Sequence, residues 1–197
     1  MNSTPTERAL RPATDLQQYR RALSCFGTGV TVVTAHHDGQ DWGMTCNSFS
    51  SVSLDPQLVL WSIRKEASSL LAFTQSGGFT VNVLAQSQAP LAWQFASGSM
   101  PQRFDGVPVH RQKSQRLRLS DCIAWFDCDL HQVIEAGDHL LVLGAVRDFG
   151  WQDGPALAFE VADFAAAVAV LRGVSVGVPA PPYLVATGRE GTVVAGH

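Results

Sequence analysis

Short strand-like segments separated by turn residues dominate the sequence between residues 30 and 161. Val30 to Ala35 is rich in β-branched residues, and Leu58 to Ile63 is a continuous apolar run that follows Asp55-Pro56. Between them, His37-Asp38-Gly39-Gln40 contains the Asp-Gly pair that is typical of a tight hairpin turn. This spacing of short apolar runs and turns predicts a mainly β protein.

The clearest strand runs from Ile123 to Ile134, where apolar and polar side chains alternate. Phe126, Cys128, Leu130 and Ile134 share one face of this strand, and Asp127, Asp129 and His131 share the other. His139 to Phe149 follows it, and three further strands are predicted at Trp42 to Phe49, Phe79 to Leu84 and Pro155 to Val161. Many short strands joined by turns indicate a mainly antiparallel barrel rather than a parallel α/β sheet.

A few short helices accompany the strands. Asp15 is a candidate N-cap for a helix that carries Leu16, Tyr19, Arg20, Leu23 and Phe26 at helical spacing. Two more helices are predicted at Ala67 to Gln75 and Gln88 to Ala96, and Ser97 to Gln115 is expected to form a long surface loop. We expect a flexible arm over residues 1–14, one domain over 15–165, and a tail or interface arm over 166–197.

Charge and composition exclude several classes of function. The 197 residues carry 14 basic and 17 acidic side chains, a formal charge of −3, which offers no electrostatic footprint for nucleic acid. No segment has the uncharged apolar length of a membrane span, and Met1 to Leu10 lacks the apolar stretch of a secretory signal. The four cysteines form no CxxC pair and are expected to be buried, reduced thiols in a cytoplasmic protein.

The densest cluster of small polar residues runs from Gly43 to Pro56, with the sequence GMTCNSFSSVSLDP. Its hydroxyl and amide side chains can hold a phosphate or the edge of a flat heterocycle without much positive charge. The same composition suits a turn and strand end whose serines hydrogen-bond their own backbone. The segment has no GxGxxG or P-loop pattern, so a Rossmann fold or a nucleotide hydrolase is not indicated.

Gly137-Asp138-His139 forms a second candidate, at the tight turn between the two longest strands. His139 can hydrogen-bond a ligand amide or act as an acid or base there, although Gly-Asp can also serve simply as a hairpin turn. His36 and His37 point to opposite faces of a strand, so they do not predict a shared metal. No Gly-x-Ser-x-Gly elbow is present for a serine nucleophile.

Five segments follow one another in a recognisable order. They are Tyr19-Arg20-Arg21-Ala22-Leu23 with Phe26 to Thr34, Gly43 to Pro56, Phe79 to Leu84, Arg103-Phe104-x-Gly106-Val107, and Gly137-Asp138-His139 through Gly144-x-Val146. In this order and spacing the chain resembles the flavin-reductase-like family, the FMN-binding split barrels. Members of that family are small reductase components of two-component flavin-dependent monooxygenases and halogenases.

The resemblance implies an antiparallel split β-barrel of Greek-key type that binds flavin near a homodimer interface. The family's flavin-contacting strand and loop match six residues: Thr45, Asn47, Ser48, Phe49, Ser51 and Ser53. By the same match Asn82 lies near the pocket, and the Gly137-Asp138-His139 turn is associated with the nicotinamide cofactor. The chain departs from the family at Ala67, where a serine is frequent, and after Phe159, where the usual basic and aromatic ending is absent.

The function implied by the resemblance is that of an NAD(P)H:flavin oxidoreductase. It would transfer hydride from NADH to free FAD or FMN and supply the reduced flavin to a partner monooxygenase or halogenase. His139 is the candidate catalytic residue, in the sense that it orients the nicotinamide; such a transfer needs positioning rather than a protein nucleophile. NADH is favoured over NADPH because no basic pair for a 2′-phosphate stands beside His139 in the sequence.

Three alternatives stay open at this point. A split-barrel protein could bind flavin without reducing it, as a carrier or sensor. An oxidase of the pyridoxamine-phosphate type would want a cluster of Arg and Lys, and the polar segment offers only scattered ones. A structural dimerisation module would leave the polar segment from Gly43 to Pro56 without a ligand.

Overall fold

The computed structural model describes residues 16–100 and 102–159, and these fall into two units. The first unit contributes one described helix, α1 (Leu16–Ser24), at the predicted position. The apolar residues of α1, among them Leu16 and Leu23, are exposed in the described part of the chain. The predicted N-terminal arm and C-terminal tail lie outside the described residues, as does Asp15.

The second unit, residues 28–159, is mainly β. Its strands and helices, in chain order, are β1 (Thr28–Gly29), β2 (Thr31–His37), β3 (Gln40–Cys46), β4 (Ser50–Leu54), β5 (Gln57–Arg64), α2 (Leu70–Gln75), β6 (Gly78–Val83), α3 (Ala89–Ser97), β7 (Val109–Arg111), β8 (Leu117–Leu119), β9 (Ala124–Ala136), β10 (His139–Trp151) and β11 (Ala158–Phe159). Short 3₁₀ turns precede α3 and β7 at Gln86–Gln88 and Gln102–Phe104. No described helix is long and apolar enough to cross a membrane.

Seven of these strands form one antiparallel sheet in the order β3-β2-β6-β9-β10-β5-β4. The two edge strands, β3 and β4, are consecutive in the chain and are joined by residues 47–49 alone. A flat sheet would separate them by about 29 Å, at about 4.8 Å per strand. Three intervening residues reach at most about 14 Å. The sheet therefore curls until its two edges lie close together.

The inner face of the curled sheet is filled by large apolar side chains. Trp61, at the centre, packs edge-on against Phe73 of α2 and Phe79 of β6, and all three are fully buried. A second apolar cluster around Phe95 of α3 covers the opposite face of β2. Gly43 of β3 is required beneath α3, because a Cβ atom there would collide with the ring of Phe95.

A chain of polar contacts ties β8 to β6 and β9. Arg116 is only 7% exposed, and its Nε donates a hydrogen bond to Asp127, which is 6% exposed, over 2.7 Å. The hydroxyl of Thr80 also donates to Asp127, and a second nitrogen of Arg116 reaches Asp129 at 3.3 Å. The sequence predicted Asp127 on a polar outer face. It is buried instead because Arg116 supplies a matching charge.

Several predicted boundaries are wrong. The strand predicted to continue to Phe49 ends at Cys46, and Ser50–Leu54 forms a separate strand on the other edge of the sheet. The predicted loop from Ser97 to Gln115 contains β7, which pairs with β8. Cys25 is exposed, although Cys46, Cys122 and Cys128 are buried as predicted. Burial raises the pKa of both Cys122 and Cys128 to about 12.

Candidate functional site

The three residues that close the sheet, 47–49, lie within the polar segment from Gly43 to Pro56. We call the place where residues 47–49 join the two sheet edges the seam. Ser48 lies at the seam, and its hydroxyl accepts a hydrogen bond from the backbone N–H of Ser62 in β5 over 2.9 Å. Its hydroxyl is also 3.0 Å from the thiol of Cys46. Asn47, immediately before it, is exposed. The loop thus holds the two sheet edges together through Ser48 and presents an amide side chain to solvent through Asn47.

The other polar residues of this segment divide between the two faces of β4. A β-bulge at Val52 shifts the register, so that Ser51 pairs with Val59 while Ser53 pairs with Leu58. Val59 and Leu58 are neighbours on one strand and point to opposite faces. Ser51 and Ser53 consequently lie on opposite faces, and only Ser53 lies on the face that carries Ser62.

Thr45 and Phe49 are held by neighbouring elements. The hydroxyl of Thr45 donates to the carbonyl of Ala92 in α3 over 2.6 Å, which fixes β3 against that helix. The ring of Phe49 lies 5.6 Å from that of Phe126 in β9, and Phe126 stacks on Phe149 of β10. Phe126 and Phe149 extend the aromatic surface beside Phe49. The sequence analysis did not place these two residues at the site, because they lie more than 70 positions from Phe49 in the chain.

Asn82, which the resemblance places near the ligand pocket, is buried within the sheet. Asn82 is 0% exposed, and its side-chain amide donates to the carbonyl of Val32 over 3.0 Å. Its amide oxygen accepts from the backbone N–H of Leu119 over 2.9 Å. The Asn82 amide therefore joins β2, β6 and β8, and its hydrogen bonds to Val32 and Leu119 satisfy both ends of the group.

The turn at the other candidate position is a two-residue hairpin loop, Gly137-Asp138, between β9 and β10. Gly137 has φ of 62°, the conformation that a glycine supplies without strain. The carboxylate of Asp138 lies 2.8 Å from Nδ1 of His139, and this hydrogen bond lowers the pKa of Asp138. His139 is half-buried, and its ring is held by its own turn.

Strand β5 brings the loop and the turn together. His139 pairs directly with Arg64, and Ser62, which Ser48 holds, lies two residues earlier on the same face. Two residues of strand span about 7 Å. The side chains of Ser62, Arg64 and His139 therefore share one face at one end of the sheet, with the Asn47-Ser48 loop beside them.

Two basic residues also stand beside this turn. Arg64 is opposite His139, and the backbone N–H of Lys65 donates to the carbonyl of Asp138 over 3.0 Å. The Nζ of Lys65 pairs with Glu135 at 3.0 Å. The sequence favoured NADH because no basic pair stands beside His139 along the chain. Strand pairing nevertheless brings Arg64 and Lys65 to the turn from more than 70 positions away.

The described residues hold no group of three His, Cys, Asp or Glu side chains that could bind a metal. The arrangement is instead a set of hydrogen-bonding groups: an exposed amide, serine hydroxyls, a carboxylate-held imidazole and two cations. Such groups suit a polar organic ligand with a flat ring and phosphates.

A known protein family matches most of the chain. Residues 23–165 match the flavin reductase like domain. The chain is 41% identical over 135 residues to the reductase component of the flavin-dependent trigonelline monooxygenase of Acinetobacter baylyi. That match covers 68% of this chain but 43% of the relative, so the chain spans less than half the length of that relative.

Two further relatives are matched over most of their length. The FMN reductase (NADH) SmoA of Agrobacterium fabrum is 38% identical over 153 residues, which cover 73% of this chain and 82% of SmoA. The structure of the NADH:FAD oxidoreductase SgcE6 of Streptomyces globisporus, in complex with NAD and FAD fragments, is 35% identical. It superposes with a TM-score of 0.71 and covers 77% of this chain and 92% of SgcE6. The sequence match, the mainly β fold and these relatives show that this chain belongs to the flavin reductase like domain family.

Proposed function

We propose that this protein is an NAD(P)H-dependent flavin reductase. It transfers hydride from NADH to free FAD or FMN and supplies the reduced flavin to a separate monooxygenase or halogenase. The observation that carries the proposal is the meeting of the Asn47-Ser48 loop with the His139 turn across β5, on one face of the sheet. The names of SmoA and SgcE6, which specify NADH with FMN or FAD, support the same cofactors.

The residues at the seam fit a flavin by the chemistry of their donor set. The edge of the flavin ring presents alternating hydrogen-bond donors and acceptors, and the exposed amide of Asn47 offers both. Ser53 adds a hydroxyl on the same face, and Thr45 and Phe49 position the strand ends without needing to touch the ligand. When bound, the flavin supplies the hydride acceptor, and the protein supplies orientation.

In this proposal His139 orients the nicotinamide. Because Nδ1 lies 2.8 Å from the carboxylate of Asp138, the neutral ring carries its proton on Nδ1 and presents Nε2 as a hydrogen-bond acceptor. A carboxamide N–H₂ is the matching donor. Gly137 and Asp138 therefore act through the orientation of His139, and Arg64 and Lys65 add positive charge for the phosphates.

We also propose that the curled sheet is a split barrel and that the protein works as a homodimer. Both are properties that the family resemblance implies, and the curl required by the link of residues 47–49 supports the first. Size-exclusion chromatography with light scattering tests the second: a mass near twice 21.2 kDa is expected. A monomer would contradict it.

Stopped-flow mixing tests the catalytic proposal directly. Purified protein is mixed with NADH or NADPH and with FAD or FMN in the absence of oxygen, and flavin absorbance is followed. We expect bleaching that depends on the protein. A protein that purifies yellow and oxidises no NADH would instead indicate a flavin carrier, and the proposed activity would be wrong.

The role of His139 is tested by substitution with a matched control. We expect His139→Ala to raise KM for the nicotinamide substrate more than KM for flavin, because the His139 imidazole is proposed to contact the nicotinamide and not the flavin. His37 also lies beside a turn aspartate, with its Nε2 3.4 Å from Asp38, and His37→Ala should leave both constants unchanged. An equal effect of the two variants, or a larger effect on flavin, would remove the role given to His139.

A further inference from the structure

A second polar cleft lies on the sheet between the β8–β9 connection and the end of β10. It encloses about 210 Å³ and is lined by side chains that include His110, Arg118, Asp121, Trp125 and Trp151. On β10, the cleft lies at Gly150, the strand partner of Trp125, whereas the proposed flavin site lies at Leu141, the strand partner of Ser62. These two positions on β10 are nine residues apart. Nine residues span about 30 Å of strand, so this cleft is separate from the proposed flavin site.

The floor of the cleft is a built stack of a guanidinium on an indole. Arg118 lies over the ring of Trp125, 5.1 Å from its centroid. Trp125 lies flat on Gly150, where a Cβ atom would come within 2.6 Å of the indole nitrogen. The glycine thus lets the indole lie against the backbone, and the guanidinium of Arg118 lies over the indole ring.

Arg118 differs from four other arginines of the sheet unit in what it binds. Arg111, Arg116 and Arg147 each donate to a carboxylate at 2.7 Å or less. Arg103 donates to the backbone carbonyls of Gly43 and Gly98, each over 2.7 Å. Arg118 is half-buried and lies over the ring of Trp125. It forms no ion pair and no hydrogen bond with residues 28–100 or 102–159.

Two neighbours extend the cleft around this cation. His110 is the cross-strand partner of Arg118, so its imidazole lies on the same face. Trp151 is 70% exposed and offers a free indole face. The other titratable groups of the lining are Asp121, whose exposed carboxylate lies at the rim, and the buried thiol of Cys122.

We propose that this cleft binds a small aromatic carboxylate. The carboxylate accepts hydrogen bonds from Arg118 and His110, and the flat ring lies against the exposed indole of Trp151. The cavity is smaller than the roughly 300–1,000 Å³ of most ligand pockets, which suits a single small ring system and not a dinucleotide.

Benzoate is the probe for the test. Binding to the full-length protein is followed by tryptophan fluorescence and by calorimetry, with cyclohexanecarboxylate as the non-planar anion, benzamide as the uncharged ring and inorganic phosphate as the anion without a ring. We expect saturable binding of benzoate in the millimolar range or below, and at least several-fold weaker binding of the other three. Equal binding of phosphate or of cyclohexanecarboxylate would overturn the proposal, as would no saturation by benzoate.

Substitutions locate the site. Arg118→Gln should weaken benzoate binding about tenfold or more, because a charge-assisted hydrogen bond is lost. Arg147→Gln, which removes an exposed arginine elsewhere on β10, is the matched control and should leave it unchanged. Asp121→Asn should tighten binding, since it removes a negative charge at the rim, and an exposed position carries little risk to folding. Unchanged affinity in both Arg118→Gln and Asp121→Asn would overturn the proposal.

Discussion

The buried ion pair between Arg116 and Asp127 allows the sharpest prediction of stability. Both side chains are 9% exposed, and their closest nitrogen–oxygen distance is 2.7 Å. In Asp127→Ala the guanidinium stays buried with only Asp129, at 3.3 Å, to balance its charge. Thr80 also loses the acceptor of its hydroxyl.

Breaking one partner of a buried pair typically costs about 3–5 kcal/mol, because it leaves an uncompensated buried charge. Asp129 remains close to Arg116, so we expect the lower part of that range, about 3 kcal/mol. For a chain of this size that corresponds to a fall in Tm of about 6–12 °C. The free energy of unfolding is measured by urea denaturation followed by circular dichroism, with Tm from a thermal scan.

Glu135→Ala is the matched control for this prediction. It breaks the exposed Lys65–Glu135 pair, whose nitrogen–oxygen distance of 3.0 Å is similar but whose side chains are 38% and 81% exposed. Exposed pairs contribute about 0–1 kcal/mol, so this variant should unfold close to the wild type. If Asp127→Ala is no less stable than Glu135→Ala, burial of the Arg116–Asp127 pair does not govern its contribution, and the reasoning is refuted.

Three further predictions concern the site and the sheet. Ser53→Ala should raise KM for flavin several-fold and Ser51→Ala should not, because the bulge places only Ser53 on the face of Ser62; steady-state kinetics that rank them in the opposite order would contradict the register argument. Gly144→Ala should destabilise the fold by about 1–3 kcal/mol, since its Cβ would lie 2.5 Å from Phe79 and 2.7 Å from Cys128 in the core. Gly137→Ala, with open space and φ of 62°, should cost about 1 kcal/mol of backbone strain in urea denaturation, and a larger loss there than at Gly144 would be the contrary result. Burial alone would raise the pKa of Asp41, but hydrogen bonds from Arg111 and His36 outweigh burial and lower the pKa. The ionised Asp41 side chain therefore stabilises the fold at pH values above its unfolded pKa. This stabilisation is lost as the pH falls through the folded pKa. Asp41→Asn should therefore be less stable than the wild type at about pH 7, and the gap should narrow by about pH 3; a constant gap would count against the ion pair.

Local patterns predicted most of the strands and the hairpin turns. The Asp38-Gly39 pair marks the turn between β2 and β3, and alternation from Phe126 onward marks β9. These features depend on neighbours in the chain, which is why the residues alone reveal them. The polar segment and the Gly137-Asp138-His139 turn were also found in this way.

Contacts made across the sheet were beyond the reach of those patterns. The bulge at Val52, which separates Ser51 from Ser53, depends on pairing with β5 and has no mark of its own in the sequence. Arg64 meets His139 only because β5 pairs with β10. The side-chain amide of Asn82 hydrogen-bonds Val32 and Leu119, and the sequence around a polar residue does not reveal which groups will satisfy it.

The link of residues 47–49 is at once the fastening of the sheet and the proposed place of ligand contact. Any motion that breaks the hydrogen bond between Ser48 and Ser62 also displaces the adjacent Asn47. Local opening of the sheet at this link and release of the proposed flavin are therefore expected to be coupled. A longer connection between β3 and β4 would no longer force the two edges of the sheet together. Substitutions within residues 47–49 or in the neighbouring strand β4 can instead alter ligand contacts while the link keeps its length.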